Sequence, residues 1–352
     1  MIELLDVIKD MISVSGLSGF EKPIREIIQK TWEPLTDDLS LSKIGSLHGL
    51  KLGCGTEPRH RILISAHMDA IGMMVTDIKD GLMHVTEIGG IDSRILPGQP
   101  VIVHGREALP GVVIQPPAHL LPASASDGPV AMKYLLVDVG LHASEVTEKV
   151  RVGDTVSFAQ EPLELTGEAL SGHTLDNRVS VAATTLCLDL LQSRRHEWDV
   201  WAVASAQEEE TLGGAFTSPF DIRPDIAIVI DVCFAEGPGS SDWRSLPFGE
   251  GVGIGYGPNI HPLLYDALEA KAKALEIPYQ RDLMPGMSGT DAMAVQIVAE
   301  GIPCVVLGIP LRYMHTPVET VSIKDIRRAG RLMAEYIADL TSETLDQIQW
   351  EE

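Results

Sequence analysis

Arg61-Ile-Leu-Ile-Ser-Ala-His-Met-Asp69 is a short run of apolar and β-favouring residues that ends in polar side chains. Its composition predicts a buried β-strand over residues 61–66, with His67 and Asp69 following where the strand emerges at the edge of a sheet. Open α/β sheets bind their ligands beyond the carboxyl ends of their strands, so polar residues at that edge are candidates for a functional site.

The segments on either side of this strand differ in their patterns of apolar residues and turn-forming residues. Residues 3–13 and 21–34 have apolar positions at helical spacing and predict two helices. From residue 71 to 165, short apolar runs are separated by Gly-Gly, Pro-Gly and Pro-Pro, which is typical of a small β-barrel or sandwich. After residue 170, helices and strands alternate: we predict helices over 177–192, 261–275, 291–299 and from 323, and strands over 200–206, 226–231 and 304–309.

Such alternation indicates an α/β domain with a mixed sheet flanked by helices. We expect residues 1–68 and 168–352 to form this catalytic domain and residues 69–167 to form an inserted, small all-β barrel. At 352 residues the chain exceeds the usual size of a single core, which agrees with one large and one small domain.

The net charge of the chain indicates which classes of binding partner are unfavourable. A formal net charge of −23 would repel phosphate backbones and anionic lipids, so we expect neither nucleic acid nor membrane as a partner. The N-terminus does not resemble a signal peptide, and no apolar run approaches the roughly 18 residues of a membrane span. The four cysteines lie far apart and three of them are in apolar runs, which predicts reduced, buried thiols and no disulfide framework. We therefore expect a soluble, cytoplasmic protein.

Several polar residues follow separate apolar segments at predicted strand ends or in the turns after them: His67 with Asp69, Asp176, Glu208 with Glu209, Asp231, and His315. Any one alone has an ordinary explanation, as an Asp before a helix is usually an N-cap. An open α/β sheet would bring them together in one crevice, however, and clustered carboxylates call for a compensating cation. Imidazole mixed with carboxylate suits zinc, cobalt or manganese better than calcium or magnesium.

The spacing within each pair is informative. His67 and Asp69 are two residues apart and lean to one face of a strand, so one can bind a metal while the other hydrogen-bonds the imidazole. Glu208 and Glu209 would point apart in a regular strand, but a break after Gln207 would let both reach the crevice. One carboxylate could then bind metal while its neighbour takes a proton from water, which is a hydrolytic arrangement.

The sequence resembles the M42 family of metallo-aminopeptidases, which is related to glutamyl aminopeptidases and to proteins once labelled endoglucanases. The segments that carry the resemblance extend over nearly the whole chain: Ser65-Ala-His-Met-Asp69, Gly89-Gly-Ile-Asp-Ser-Arg-Ile-Leu-Pro-Gly98, His173-Thr-Leu-Asp-Asn-Arg178, Gln207-Glu-Glu209, Ile230-Asp231, Ser288-Gly-Thr-Asp291 and Arg312-Tyr-Met-His-Thr-Pro-Val-Glu319. Each segment is weak evidence alone, but the ordered set is specific.

The resemblance implies a zinc-peptidase-like α/β domain that holds two divalent metal ions. It assigns His67, Asp176 and Asp231 to one ion, and Asp176, Glu209 and His315 to the other. Asp176 bridges the two ions, Asp69 orients His67, and Glu208 is the general base. The resemblance also implies that short peptides are the substrates, that the β-rich insertion mediates dimerisation, and that dimers assemble into a hollow dodecamer.

The sequence departs from the family pattern in places. Ala70 replaces the family's usual Glu, which motivates an alternative: a catalytically silent assembly or peptide-binding homologue. Glu210 follows the Glu-Glu pair where an apolar residue is common, and we expect its carboxylate to be solvated or paired outside the ligand set. A glycoside hydrolase that uses Glu208 and Asp69 is a weaker alternative, since glycosidases need no paired metals.

Two glycine-containing segments complete the predictions. The run from Gly251 to Gly257 lacks the spacing of a dinucleotide-binding fingerprint, and we expect a flexible loop near the pocket. Ser288, Gly289 and Thr290 do not form a nucleophile elbow. We expect them to form a tight turn that presents groups to the substrate.

Overall fold

A large mixed sheet and a closed β-barrel make up the computed structural model, which describes residues 2–121, 129–240 and 242–348. The helices are α1 (Leu4–Ile12), α2 (Lys22–Trp32), α3 (Ala143–Lys149), α4 (Leu175–Leu191), α5 (Glu208–Thr211), α6 (Gly213–Ile222), α7 (Pro262–Ala274), α8 (Ala292–Val295), α9 (Ile323–Ala338) and α10 (Thr344–Gln347). The strands are β1 (Asp38–Leu41), β2 (Leu47–Lys51), β3 (Arg61–His67), β4 (Gly72–Lys79), β5 (Leu82–Ile88), β6 (Pro100–His104), β7 (Ala108–Ile114), β8 (Leu136–Asp138), β9 (Thr155–Phe158), β10 (Leu163–Leu165), β11 (Ala169–Gly172), β12 (Asp199–Ser205), β13 (Ile226–Phe234), β14 (Val252–Tyr256), β15 (Tyr279–Leu283), β16 (Cys304–Arg312) and β17 (Glu319–Ser322).

The large sheet has its parallel strands at the centre. Its order is β1-β2-β12-β3-β13-β16-β17-β11-β10, and β14 and β15 are attached beside β16. Strands β12, β3, β13 and β16 run parallel to one another, and β2 and β17 flank them in the antiparallel direction. The central strands are buried almost throughout, which explains why they read as continuous apolar runs. The carboxyl ends of β12, β3 and β13 therefore lie at one edge of the sheet.

Helices flank this sheet and bury their apolar faces in its core. Helix α4 packs against β3, β13 and α9, and α6 and α8 pack against other central strands. In α1 the buried residues Leu4, Ile8, Met11 and Ile12 recur at helical spacing, as the sequence pattern predicted. Among the described residues, no helix combines the length and the apolar character needed to cross a bilayer.

The barrel closes in the order β4-β5-β8-β7-β6-β9 and begins three residues after Asp69. Its core is separate from that of the large sheet and contains residues such as Met73, Val101 and Val156. The predicted fold class, an α/β domain with a mixed sheet and an all-β barrel, is thus confirmed. The barrel strand β4 leaves directly from the segment that carries His67 and Asp69, so its connection runs beside the edge where the candidate site lies.

Two local predictions were wrong. The glycine run after Gly251 forms strand β14 instead of a flexible loop, because Val252 and Ile254 are buried and pair with β15 and β16. The helix predicted over 291–299 is regular only in α8; turns follow α8, and Ala299 has a φ of 57°. All four cysteines are free thiols: Cys187 and Cys304 are buried, Cys233 is half-buried, and Cys54 is exposed.

Candidate metal centre

His67 ends β3, and Asp231 lies in the neighbouring parallel strand β13, three residues before that strand ends at Phe234. Val229 of β13 is directly opposite Ser65 of β3, so Asp231 and His67 each lie two residues further along. Their side chains point to the same face, and Nε2 of His67 lies 3.7 Å from Oδ1 of Asp231. The sheet register alone thus brings together two of the predicted ligands.

Asp176 lies between the two histidines. It follows Thr174, which has a left-handed φ of 58°, and belongs to the irregular first turn of α4. Its Oδ1 lies 3.2 Å from Nε2 of His67, and its Oδ2 lies 3.5 Å from Nε2 of His315. Each carboxylate oxygen therefore faces a different imidazole, which is the arrangement needed of a carboxylate shared between two cations.

A backbone break before α5 directs two adjacent glutamates into the same site. Gln207 has a φ of 62°, so the chain turns sharply where β12 ends, as the predicted break required. Oε2 of Glu208 lies 3.8 Å from Nε2 of His67, and Oε2 of Glu209 lies 3.5 Å from Nε2 of His315. The turn is held by the buried carboxylate of Asp69, which accepts the backbone N–H of Glu208 at 3.0 Å and that of Glu209 at 3.2 Å.

The far ring nitrogens of both histidines have main-chain acceptors. Nδ1 of His67 donates to the carbonyl oxygen of Asp69 at 3.1 Å, while the carboxylate of Asp69 is 3.6 Å away. Nδ1 of His315 donates to the carbonyl oxygen of Gly90 at 2.8 Å, in the segment that follows β5 of the barrel. In a neutral ring these bonds place the proton on Nδ1 and direct the lone pair of Nε2 at the carboxylates, as metal ligation requires. The orientation of His67 thus comes from the main chain of Asp69 more than from its side chain.

The pKa shifts of the clustered side chains indicate that their negative charges need a compensating positive charge. Burial raises the pKa of the Glu208, Glu209 and Asp231 carboxyl groups. Burial acts on Asp176 in the same direction, but hydrogen bonds from the two imidazoles hold its pKa well below the usual range. The hydrogen bond to Asp176 raises the pKa of His315. Without a cation, the cluster must retain protons on groups that are normally ionised or neutral at pH 7.

The donor set fits divalent metal ions. Three groups of side chains have ligand atoms within 4.8 Å of one another: His67 with Asp176 and Asp231, Asp176 with Glu209 and His315, and His67 with Glu208 and Glu209. The first two groups contain the same residues as the two ligand sets that the family resemblance implies, and Asp176 is common to both. Nitrogen and oxygen donors at this density suit zinc and similar ions.

Further buried residues support the ligands, although the sequence analysis assigned them no role. The carboxylate of Glu319 accepts the backbone N–H of Asp176 at 3.1 Å and that of His315 at 2.9 Å. Asp291 accepts hydrogen bonds from Ser65 at 2.7 Å and Ser205 at 2.5 Å, on β3, which carries His67, and on β12, which precedes Glu209. Both are acidic residues next to apolar segments, and buried acidic residues are rare unless they are paired. This feature of the sequence could have identified them as supporting residues.

Arg178 is another buried residue that the sequence analysis left unassigned. Its guanidinium group donates to the carbonyl oxygens of Met11 and Val14 at 2.7 and 2.6 Å. A buried guanidinium close to Asp69 and Glu319 offsets part of the negative charge beneath the ligands.

Two departures from the family pattern have defined environments. Ala70 is buried, and its main chain exchanges hydrogen bonds with Gly16 and Ser18, while all the predicted ligands remain in place. Oε1 of Glu210 accepts the backbone N–H of Gly89 at 2.6 Å. Glu210 is thus paired outside the ligand set, as expected, next to the glycine that holds His315.

A cavity of about 590 Å³ opens onto the cluster. The ligand side chains form part of its wall, and Ser288, Gly289 and Thr290 form another part. Gly289 has a φ of 68°, and the hydroxyl groups of Ser288 and Thr290 lie 3.0 Å apart. That these groups contact a substrate stays a prediction.

Comparisons with known proteins agree with this site. Residues 45–332 match the model of the M42 glutamyl aminopeptidase family. The chain is 32% identical to a lysyl aminopeptidase of Pyrococcus furiosus over 95% of its own length and 97% of the relative. It is also similar to the structure of a TET aminopeptidase from a marine sediment archaeon of the Thaumarchaeota, with 29% identity, a TM-score of 0.93 and 99% coverage of each chain. A second similar structure is the TET1 peptidase of Pyrococcus horikoshii, described as assembling into a tetrahedron or a large octahedral shell, with 28% identity, a TM-score of 0.84 and coverage of 96% of this chain and 100% of that one. The chain therefore belongs to the M42 family, which is metal-dependent, and is an aminopeptidase, a hydrolase of peptide bonds.

Proposed function

We propose that this aminopeptidase removes N-terminal residues from short peptides, using two divalent metal ions and Glu208 as general base. The observation that carries the proposal is the position of Asp176, whose two carboxylate oxygens face Nε2 of His67 and Nε2 of His315. Two cations that share one carboxylate have the arrangement used by di-metal hydrolases.

The ligand sets follow from the clusters around Asp176. His67, Asp176 and Asp231 would hold one ion, and Asp176, Glu209 and His315 would hold the other, with zinc, cobalt or manganese as the candidates. When bound, the ions supply Lewis-acid polarisation of the scissile carbonyl group and lower the pKa of a water molecule. Asp69 positions Glu208 and Glu209 through their backbone amides, and its carbonyl oxygen orients His67.

Glu208 has the properties of a proton carrier. Burial raises the pKa of its carboxyl group, and a raised pKa makes a carboxylate a better proton acceptor. We assign it two transfers: it takes a proton from the attacking water and delivers it to the departing amine. Because Glu208 also lies within ligand distance of His67 and Glu209, the test must separate a base from a ligand.

The test is Glu208→Gln, which keeps the size of the side chain and removes the acid-base function. We expect the variant to retain two divalent ions per chain by inductively coupled plasma mass spectrometry. Its kcat on aminoacyl p-nitroanilides should fall by about 10²- to 10⁴-fold, the usual contribution of a positioned acid-base group. Glu33→Gln, an exposed glutamate at the end of α2, is the matched control and should leave both quantities unchanged. Near-normal kcat would show that the base is another residue, and loss of metal would show that Glu208 is a ligand.

The assembly and setting are part of the same proposal. We propose a homo-oligomer built from dimers, with a dodecamer as the assembled form and the barrel insertion at residues 69–167 as the dimerisation domain. The similar TET1 peptidase assembles into shells, and the barrel exposes Val112 and Val152, apolar side chains suited to an interface. The free cysteines fit a reducing, cytoplasmic setting. Light scattering after size-exclusion chromatography tests the assembly, and a monomer at micromolar concentration would refute it.

Metal analysis also separates the proposal from a silent homologue, which would lack tightly bound ions or turnover. The relatives do not decide the preferred N-terminal residue, since one is named lysyl aminopeptidase and the family is described as glutamyl.

A further inference from the structure

One buried carboxylate in the cavity has no role in the metal centre. Asp282 lies on β15, lines the same cavity as the candidate ligands, and has a side chain that is only 8% exposed. Among the described residues, no hydrogen-bond donor or cation lies within bonding distance of its carboxylate. Burial is the single cause that raises its pKa, to about 6, so the group is mainly ionised at neutral pH.

The other buried carboxylates near this site differ from Asp282. Asp69, Glu319 and Asp291 each accept two hydrogen bonds from the protein. Burial of an ionised group without partners costs several kcal/mol in a protein interior. A cation or hydrogen-bond donor beside the Asp282 carboxylate would offset this cost. Such a group can reach the carboxylate from the cavity.

The neighbouring glycines leave the carboxylate open toward the metal centre. Gly308 of β16 is directly opposite Asp231 of β13, and paired residues of adjacent strands direct their side chains to the same face. A Cβ atom on Gly308 would lie 3.4 Å from Oδ2 of Asp282, and one on Gly253 would lie 3.5 Å from the same atom. Oδ2 thus lies over Gly308, the residue of β16 that pairs with Asp231, on the ligand side of the sheet.

Much of the cavity lining around the ligands and Asp282 is apolar. Val306, Met284 and Met314 contribute to it, together with the thiol of Cys233. A side chain that starts at the scissile bond and extends to Asp282 would therefore pass along apolar groups and end at a negative charge. Lysine has this chemistry, with an aliphatic stem and a terminal ammonium group, and arginine resembles it.

A positively charged residue also contributes to the cavity lining. Arg244 also lines the cavity, but its side chain is 66% exposed and lies 3.7 Å from Asp242, with its guanidinium over the ring of Trp243. Solvent and Asp242 screen this positive charge, whereas the negative charge of Asp282 is buried and unpaired. The interior therefore favours a cation over an anion.

We propose that Asp282 is a specificity-determining residue and that its carboxylate selects peptides whose N-terminal residue is lysine or arginine. This inference rests on the proposed function, because it places the N-terminal residue of the substrate in the cavity beside the metal centre. It adds a substrate class to that function.

The experiment compares lysine with norleucine, which has a straight aliphatic side chain and no charge. We expect the metal-loaded wild-type protein to hydrolyse Lys-p-nitroanilide with a kcat/KM at least about tenfold above that for norleucine p-nitroanilide, the range of a charge-assisted contact. Asp282→Asn should abolish this preference while it changes kcat/KM for norleucine by less than about threefold. Asp242→Asn, which removes an exposed carboxylate at the mouth, is the matched control and should keep the preference.

A binding measurement makes the inference testable apart from catalysis. Isothermal titration of L-lysinol and L-norleucinol, which cannot be hydrolysed, should give a Kd about tenfold lower for lysinol with wild type and equal values with Asp282→Asn. If no p-nitroanilide is hydrolysed, the proposed function fails, and this titration still decides the role of Asp282. A wild-type preference for norleucine or Glu substrates, or equal binding of the two alcohols, would overturn the inference.

Discussion

Replacement of Asp69 by asparagine tests how the two catalytic-site glutamates are held in place. The carboxylate has two oxygens, and each accepts one backbone N–H, from Glu208 at 3.0 Å and from Glu209 at 3.2 Å. An asparagine amide has the same shape but only one acceptor oxygen. One of the two N–H groups would therefore face an NH₂ group in a buried site.

The free-energy cost of Asp69→Asn can be calculated from these two hydrogen bonds. A hydrogen bond to a charged group contributes about 1.5–3 kcal/mol, and a buried unsatisfied donor costs about 1–3 kcal/mol. We take about 3 kcal/mol for the exchange of one charged contact for an unpaired N–H. The turn at Gln207 has a φ of 62°, and a non-glycine residue in the left-handed region carries an intrinsic penalty of about 1–2 kcal/mol. Relaxation of this turn would therefore relieve the penalty and move both glutamates.

If the cost falls on the productive geometry of the site, about 3 kcal/mol corresponds to about a hundredfold loss of kcat. The assay is steady-state hydrolysis of an aminoacyl p-nitroanilide, with metal content measured on the same sample. Asp225→Asn is the matched control, because Asp225 also accepts one backbone N–H, that of Arg61 at 2.7 Å, at the opposite end of the parallel strands. A kcat for Asp69→Asn within threefold of wild type, at full metal content, would refute the assigned role of the carboxylate.

Three further predictions concern the metal centre. Glu210→Gln weakens the contact to Gly89, next to the carbonyl group that orients His315, so we expect about tenfold weaker binding of one ion in a metal titration; an unchanged titration would show that the two contacts are independent. Burial raises the pKa of Glu208 to about 8 and that of Glu209 to about 7, and the carboxylate partner of His315 raises its pKa to about 9. Groups whose pKa is raised in the folded state stabilise that state at low pH, and they lose this contribution as the pH rises through the raised values. The Tm of the metal-free protein should therefore fall between about pH 5 and pH 9, and the increase in Tm on adding zinc should become larger over the same range. A Tm independent of pH in scanning fluorimetry would contradict this. Removal of divalent ions with a chelator should abolish peptide hydrolysis, and zinc, cobalt or manganese should restore it; full activity after verified removal would exclude a metal-dependent reaction.

The convergence of the ligands could be predicted because it follows from a regular feature of the fold. His67 ends β3, and Asp231 lies in the carboxyl-terminal half of the neighbouring parallel strand β13. The segment with Glu209 follows β12, a third parallel strand. Strand ends can be located from apolar runs in the sequence, and parallel strands place their carboxyl ends at a common edge. The contact between His315 and Gly90 could not be predicted in this way, since it depends on how the barrel packs against the sheet.

The substrate cavity was less accessible to sequence reasoning. Strand β14 was predicted as a loop because glycines alternate with Val252 and Ile254, and glycine disfavours strands. In the structure, side chains of other segments pack directly against these glycines. A Cβ atom on Gly253, for example, would lie only 2.7 Å from the side chain of Leu246. The burial of Asp282 depends on the same spaces. Its local sequence, Tyr-Gln-Arg-Asp-Leu, has no feature that distinguishes it from an exposed edge strand.

The structure relates the backbone strain of the site to two buried carboxylates that bind no metal in the proposed arrangement. Thr174, Gln207 and His315 have φ values of 58°, 62° and 61°, and each lies at or next to a ligand segment. Such conformations cost about 1–2 kcal/mol apiece, whereas a hydrogen bond to a charged group contributes about 1.5–3 kcal/mol. Asp69 accepts two N–H groups just after Gln207, and Glu319 accepts those of Asp176 and His315. Four such bonds are enough to offset three strained residues, so the main chain can hold the ligand geometry by interactions that do not involve the metal ions.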